Sequence, residues 1–458
     1  MKKLNRLYAG WAVGTMGASL LLNTFSVATL FFLITVLQIN PLLAGSLIMV
    51  SKLYDAASDP IMGYISDRTR SRWGRRRPYL LIGGLVSGIS FAALFAAPVS
   101  DGSMEHTVIV AALLIFLSTG YTIFNVPYLA MPAEMIDDYH ERSVLMSYRV
   151  FLIALGTFAG ISGAPALVGY LQESLAQTPS TAYANMGMVM GALIALFMVI
   201  SFYSTRNAPA TEHIKSGIGL QGQLLLIWEN RPFLLYLGIK LAGLFALAAI
   251  ISTQFFFVVY VLERSVSVVA LFGLMQVAGK LISIPTWLKL SRSKGKAWIL
   301  AASTLLFIPL AASWLVTSGS EPLWVYAARG FFLGIASSGT LLGTQAMLPD
   351  IMEYDYLRSG MRREGVYAGV ASFIEKTAYA LAGIVIGGFL AAMHFDKALP
   401  PGSQPDSAVF AIIACTALVP MCAYAVKLSL LWFYDLNEEK LNMARNAADA
   451  RGAEAATT

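Results

Sequence analysis

The chain has 458 residues, of which 57% are apolar and 13% charged, with a mean hydropathy of +0.66; ordinary soluble domains are about 25% charged. So few charges cannot coat a water-soluble globule of this size, and the apolar content excludes an intrinsically disordered chain. The formal charge of +6 therefore reads as membrane topology and gives no reason to expect nucleic acid as a partner.

A spanning helix takes about 20 mostly apolar residues. Runs long enough to span lie near 8–37, 41–66, 79–98, 106–131, 144–171, 184–205, 233–260, 266–289, 297–317, 322–349, 365–394 and 405–434. The first follows Lys2, Lys3 and Arg6 but is too long for a signal peptide, so it is expected to stay as the first helix. Loop charges set the orientation. Connections after even-numbered spans carry Arg68 to Arg77, Arg142, Arg206 to Arg231, Arg292 to Lys296, and Arg358 to Arg363. Those after odd-numbered spans carry only Arg264 and Lys397. Both termini are thus expected in the cytoplasm of a multi-pass plasma-membrane protein, the inner membrane if the cell is Gram-negative.

The long basic connection over 206–231 splits the chain into a bundle over 1–205 and a second over 232–434, with a polar tail over 435–458 that starts as a short surface helix. Ala130-Met-Pro-Ala-Glu-Met-Ile-Asp-Asp138 resembles Ala346-Met-Leu-Pro-Asp-Ile-Met-Glu-Tyr354, about half a chain later. Two parallel six-helix repeats are a transporter arrangement, with the substrate held between them near the midplane. The expected fold is all-α, with twelve spanning helices in two pseudo-symmetric bundles. Cys415 and Cys422 share one apolar run and read as buried structural residues. No metal-ligand spacing and no phosphate loop is present in the sequence, so no cofactor and no enzymatic activity are expected.

Ionisable residues inside a span are costly and mark function. Span two carries Lys52, Asp55, Ser58, Asp59 and Pro60. Asp55 and Asp59 are one turn apart on one face, and two like charges there repel unless a cation or proton sits between them. Pro60 frees the carbonyl of Ala56, which adds another oxygen. The alternative is an internal neutralisation of Asp55 by Lys52. Beyond them, Asp67 lies amid six arginines in ten residues, among them Arg68 and Arg75. These anchor topology, and Asp67 paired with arginine would form a conformational latch. Lys240, Lys427 and Arg329 read as snorkelling side chains; Lys280 and Gln276 are candidates for a cavity wall, and Glu375 for the partner of a lysine on another helix.

The stretch from Asp55 to Arg75, with Gly63, Asp67, Trp73 and Gly74 in register, resembles the glycoside–pentoside–hexuronide:cation symporters of the major facilitator superfamily, of which the melibiose permeases are the best known. Tyr121-Thr-Ile-Phe-Asn125-Val-Pro127-Tyr128, Glu134, Glu141-Arg142 and Arg149 are similar to the family's span-four to span-five signature, and Arg363-Glu364-Gly365 with Lys376 to its span-eleven signature. The resemblance implies a cation site at Asp55, Asp59, Ser58 and Thr122. It implies a substrate site at Ser19, Tyr121, Asn125, Tyr128, Arg149 and Lys376, and adds Arg142 and Arg363 to the latch. The coupling ion is sodium or a proton. Where melibiose-type permeases carry carboxylates on spans one and four, this chain has Ala18, Ser19 and Asn125, so α-galactoside specificity does not carry over. Arg149 and Lys376 without those acids point to an acidic sugar or small organic anion, beside a neutral sugar. The expectation is thus a monomeric, cation-coupled secondary symporter in contact with membrane lipid. A lysophospholipid or organic-anion carrier of the same fold, and a non-transporting membrane sensor, are the alternatives.

Overall fold

The computed structural model describes residues 2–99, 103–135, 139–206, 208, 230–317, 321–359, 364–437 and 439–447. Fourteen helices account for the twelve passages. The first group is α1 (Lys2–Phe31), α2 (Pro41–Arg68), α3 (Arg77–Phe95), α4 (Met104–Met135), α5 (Tyr139–Phe158), α6 (Ala164–Glu173) and α7 (Pro179–Thr205). The second is α8 (Arg231–Phe256), α9 (Val268–Lys294), α10 (Lys296–Ala312), α11 (Leu323–Ser359), α12 (Glu364–Ala392), α13 (Asp406–Thr416) and α14 (Leu418–Trp432). A π turn at Ala159–Gly163 joins α5 to α6 as one passage, and α13 and α14 form another, broken at Ala417. A further helical segment over 439–447 follows, where the tail was expected to begin as a helix. Most of the expected central loop lies outside the described residues.

Local sequence sets the starts. Asn40 caps α2 by accepting from the amides of Leu42 and Leu43, with Pro41 in the first turn. Thr178 before Pro179 does the same for α7, and Asn230 before Pro232 for α8. In each, a side-chain oxygen satisfies an orphan amide and proline supplies a pre-set φ. Eleven of the passages are long and apolar enough to cross a bilayer. The remaining one, α2, has 28 residues, or about 42 Å at 1.5 Å per residue; its length suffices, and its charges make it the exception. The protein is a multi-pass membrane protein.

The packing repeats between the halves. In the first, α1 packs on α5 and α7, α3 on α4 and α7, and α2 on α4; in the second, α8 packs on α12 and α14, α10 on α11 and α14, and α9 on α11. Between the halves, α2 meets α12, and α9 meets the α5–α6 passage, which are equivalent positions of the two repeats.

The halves are sealed at the face remote from the termini. A methyl group at Gly45 would collide with the Gly383 carbonyl, and one at Gly387 with that of Pro41, so α2 and α12 touch backbone to backbone. On the opposite seam Ser265 and Ser267 donate to Glu173. Lys397 donates to the Gln38 carbonyl and Gln38 to that of Lys397. Phe31 plugs the centre against Phe255 and Phe256, with ring centroids at 5.3 and 5.0 Å.

Gly387→Val should wedge this seam apart. Overpacking of this kind costs about 1–3 kcal/mol, which shifts a closed–open equilibrium by roughly 5- to 150-fold. Labelling of a cysteine placed at Ser26, which lines the cavity below the seal, should accelerate accordingly from the sealed face. An unchanged labelling rate in the valine variant would show that the seam is not the gate.

Candidate functional site

Below the seal, a cavity of about 400 Å³ lies between the halves. Its walls come from α1, α2, α4 and α5 of the first group and α8, α11 and α12 of the second. Its chemistry is set on α2, near the middle of the passage.

Asp55 is 1% exposed, and Thr122 of α4 donates to its Oδ1 at 2.6 Å. The same hydroxyl lies 3.1 Å from Asp59 Oδ1, so one threonine spans both carboxylates. Ser58 turns back to donate to the Asp55 carbonyl at 3.1 Å and lies 3.3 Å from the Thr122 hydroxyl. All four residues assigned to the cation site by resemblance thus lie together. The backbone oxygen that joins them is that of Asp55, to which Lys376 also donates at 3.3 Å, rather than that of Ala56.

The expectation that the acidic pair stands open for a small cation needs correction. Lys376 of α12 inserts its ammonium between the two acids, 3.0 Å from Asp55 Oδ2 and 2.5 Å from Asp59 Oδ2. The alternative partner fails as well: Lys52 sits over the Phe25 ring at 4.4 Å and, among the described residues, forms no ion pair. Sequence spacing favoured Lys52 because it shares a helix with Asp55. The side chain that arrives comes from the other half, 321 residues away. Two carboxylates and one ammonium leave this cluster with one negative charge in excess.

Resemblance placed Lys376 near both the cation and the sugar sites; it lines the cavity, and the acids occupy its ammonium. Tyr121, Asn125 and Arg149 also line the cavity. The Arg149 guanidinium forms no hydrogen bond or ion pair among the described residues, and its Nε is buried without a partner. Ser19 is engaged with Thr157 at 3.1 Å and the Ile153 carbonyl at 3.0 Å, which ties α1 to α5. Tyr128 is chiefly a packing residue. It is 1% exposed, stacks on Trp11 at 4.6 Å, and bonds through its hydroxyl to Thr15 and the Trp11 carbonyl.

Sequence reasoning missed Gln345 and Tyr379, which also wall the cavity; neither sits in a motif, and only the packing of α11 and α12 brings them there. Glu375 pairs with Lys240 at 3.1 Å. Lys240 is therefore an ion-pair partner rather than a snorkelling residue. Arg329 does not snorkel either: it binds Glu321 at 2.7 and 3.0 Å and stacks on Trp314 at 4.5 Å. Lys427 is fully buried, again contrary to expectation. Gln276 is fully buried, and neither it nor Lys280 reaches the cavity wall.

Of the latch residues, Arg363 and the side chains of Asp67 and Arg142 lie outside the described residues. Arg68 lies over the Tyr64 ring at 3.8 Å, and Arg75 is half-buried in the turn before α3. The arginine that ties this loop down is Arg77, which donates to the carbonyls of Trp73, Arg206 and Ala208.

Comparison with known proteins bears on the family and the fold. Over 94% of its length the chain is 28% identical to a putative glycoside/cation symporter, YagG, of Escherichia coli, covering 92% of that protein. It is 25% identical to the glucuronide carrier protein homolog of the same species, over 95% of this chain and 93% of that one. It is 22% identical to the isoprimeverose transporter of Lactiplantibacillus pentosus, over 93% and 88%. The fold superposes on an inward-facing bacterial homologue of the lysosomal transporter Spinster with a TM-score of 0.68 at 14% identity, covering 97% of this chain and 98% of that one. Residues 10–438 match the family of MFS/sugar transport proteins, and the chain belongs to that family, a member of the major facilitator superfamily that resembles the glycoside/cation symporters.

Proposed function

We propose that the protein imports an acidic sugar together with one monovalent cation, sodium or a proton, bound at Asp55 and Asp59. With the termini in the cytoplasm, the sealed face is the outer one. The observation that carries the substrate class is the Arg149 guanidinium, half-buried on the wall of the cavity and, among the described residues, unmatched by any acid. Lys52 adds a second ammonium on the same wall, while Lys376 is already spent on the two carboxylates. A carboxylate ligand satisfies such cations with charge-assisted hydrogen bonds, and Asn125, Tyr121 and Gln345 offer partners for ring hydroxyls. The glucuronide carrier homologue is a relative whose name fits this reading.

Coupling follows from the position of Lys376. Its bonds to Asp55 and Asp59 are ion pairs across the two halves. A cation or proton that takes up the remaining negative charge of the acidic pair competes with the ammonium for the same oxygens. It thereby loosens the tie between α2 and α12. Substrate held on Arg149 and Lys52 from one half and on Gln345 and Tyr379 from the other closes the halves around the cargo instead. Cation and substrate thus both favour the state in which the Lys376 ion pairs give way to bridges through the cargo, and two ligands that favour one common state bind cooperatively, as symport requires.

Asp59→Asn should abolish ion-driven accumulation in proteoliposomes while the protein keeps its helical content and a cooperative melt. Wild-type uphill uptake in that variant would remove Asp59 from the coupling step. Arg149→Gln should weaken hexuronate binding by roughly 10- to 150-fold, the loss of one hydrogen bond to a charged group at about 1.5–3 kcal/mol. Binding of a neutral glycoside, followed by calorimetry, should change little; equal losses for both ligands contradict the acidic-sugar assignment. One carboxylate travelling with one cation carries no net charge. An imposed potential, worth about 2.3 kcal/mol per charge per 100 mV, should then fail to drive hexuronate uptake when no ion gradient is present. Potential-driven uptake would point to a neutral substrate or to more than one cation.

A further inference from the structure

The second half contains a chamber of its own, about 100 Å³, walled by α8, α10, α11, α12 and α14. It shares Gln345 and Glu375 with the main cavity, and the transport scheme above makes no use of its other polar residues. Lys427 of α14 lies on its wall with 0% exposure. Its ammonium has one partner among the described residues, the Thr340 hydroxyl at 3.3 Å, and no carboxylate. Tyr424, one turn earlier on the same helix, is also fully buried, and its hydroxyl has no hydrogen-bond partner. Gly243 of α8 makes the room: a β-carbon there would stand 3.3 Å from both Cδ and Nζ of Lys427.

The other charges on the wall are Lys240 and Glu375, paired with each other at 3.1 Å. Two ammonium groups and one carboxylate leave the chamber with one positive charge in excess. An ammonium held in a membrane interior without a counter-charge is strongly unfavourable. An unpartnered tyrosine hydroxyl on the same wall adds a second unmet demand, and either group can donate. The chamber is larger than one water requires, and it offers a lysine, a free tyrosine hydroxyl and the Thr344 hydroxyl to whatever fills it. A cation would be repelled, and an apolar guest would leave every donor unsatisfied.

We propose that this chamber binds a small monovalent inorganic anion of about chloride size, held by the Lys427 ammonium and the Tyr424 hydroxyl. The anion neutralises the second half from within and braces α14 against α8 and α11. The site is separate from Asp55 and Asp59 and bears on the stability of the bundle rather than on the coupling ion.

The test uses full-length protein in detergent, titrated with sodium chloride against sodium gluconate at constant ionic strength. Melting temperature should rise saturably with chloride, and crystals grown in sodium bromide should show anomalous density beside Lys427. Lys427→Met should lose the chloride response. Tyr424→Phe should move its midpoint to about tenfold higher chloride or beyond, as expected for one lost hydrogen bond to a charged group. Should the methionine variant fail to fold, the phenylalanine variant decides. A wild-type protein indifferent to chloride overturns the proposal, as does a response that Tyr424→Phe leaves unchanged.

Discussion

The structure turns on an ammonium group between two carboxylates inside a membrane. Asp55 and Asp59 on one helix repel each other; Asp55 is buried and Asp59 only partly exposed. Each is stable there only with a positive neighbour and a hydrogen-bond donor. Thr122 supplies the donor from within the same half, and Lys376 supplies the charge from the other half. The requirement for neutrality is therefore met by an inter-bundle contact. The contact joins the same two helices, α2 and α12, that meet backbone to backbone at the seal. Had Lys52 filled the role, the neutralisation would have been local and would have tied nothing together.

The fold was legible because the membrane imposes it. Backbone groups in hydrocarbon must bond within their own segment, so apolar runs of sufficient length become helices, and loop arginines mark one side. The least legible passages were those with irregular backbone. No residue type within Ala159–Gly163 or at Ala417 specifies the irregular turn itself, although Pro165 and Pro420 follow closely and each lacks an amide hydrogen for the carbonyl four residues earlier. The starts at Asn40-Pro41, Thr178-Pro179 and Asn230 could be read locally, because capping is a short-range interaction.

The site was legible in its members and not in its pairing. Asp55, Ser58, Asp59 and Thr122 converge as their resemblance implied, since helix periodicity and neighbouring passages bring them to one depth. Which lysine serves the acids depends on how one half docks on the other, and that information is spread over hundreds of residues. The same holds for Lys240, Arg329 and Lys427. Each looked like a long side chain free to reach the lipid headgroups; Lys240 and Arg329 are committed to acids, and Lys427 is buried against a threonine. Tyr128 lines the cavity, where its motif places it, and stacking on Trp11 fixes its ring in the wall.

Adjacent residues on α12 form ion pairs in different halves. Glu375 turns toward Lys240 and the interior of the second half, whereas Lys376 crosses to the first half. Successive side chains on a helix are about 100° apart, so the two cannot be reoriented independently. Any twist of α12 that withdraws the lysine from α2 also swings the glutamate off its own partner. The helix thus behaves as a camshaft, in which release of one ionic contact sets the timing of the other.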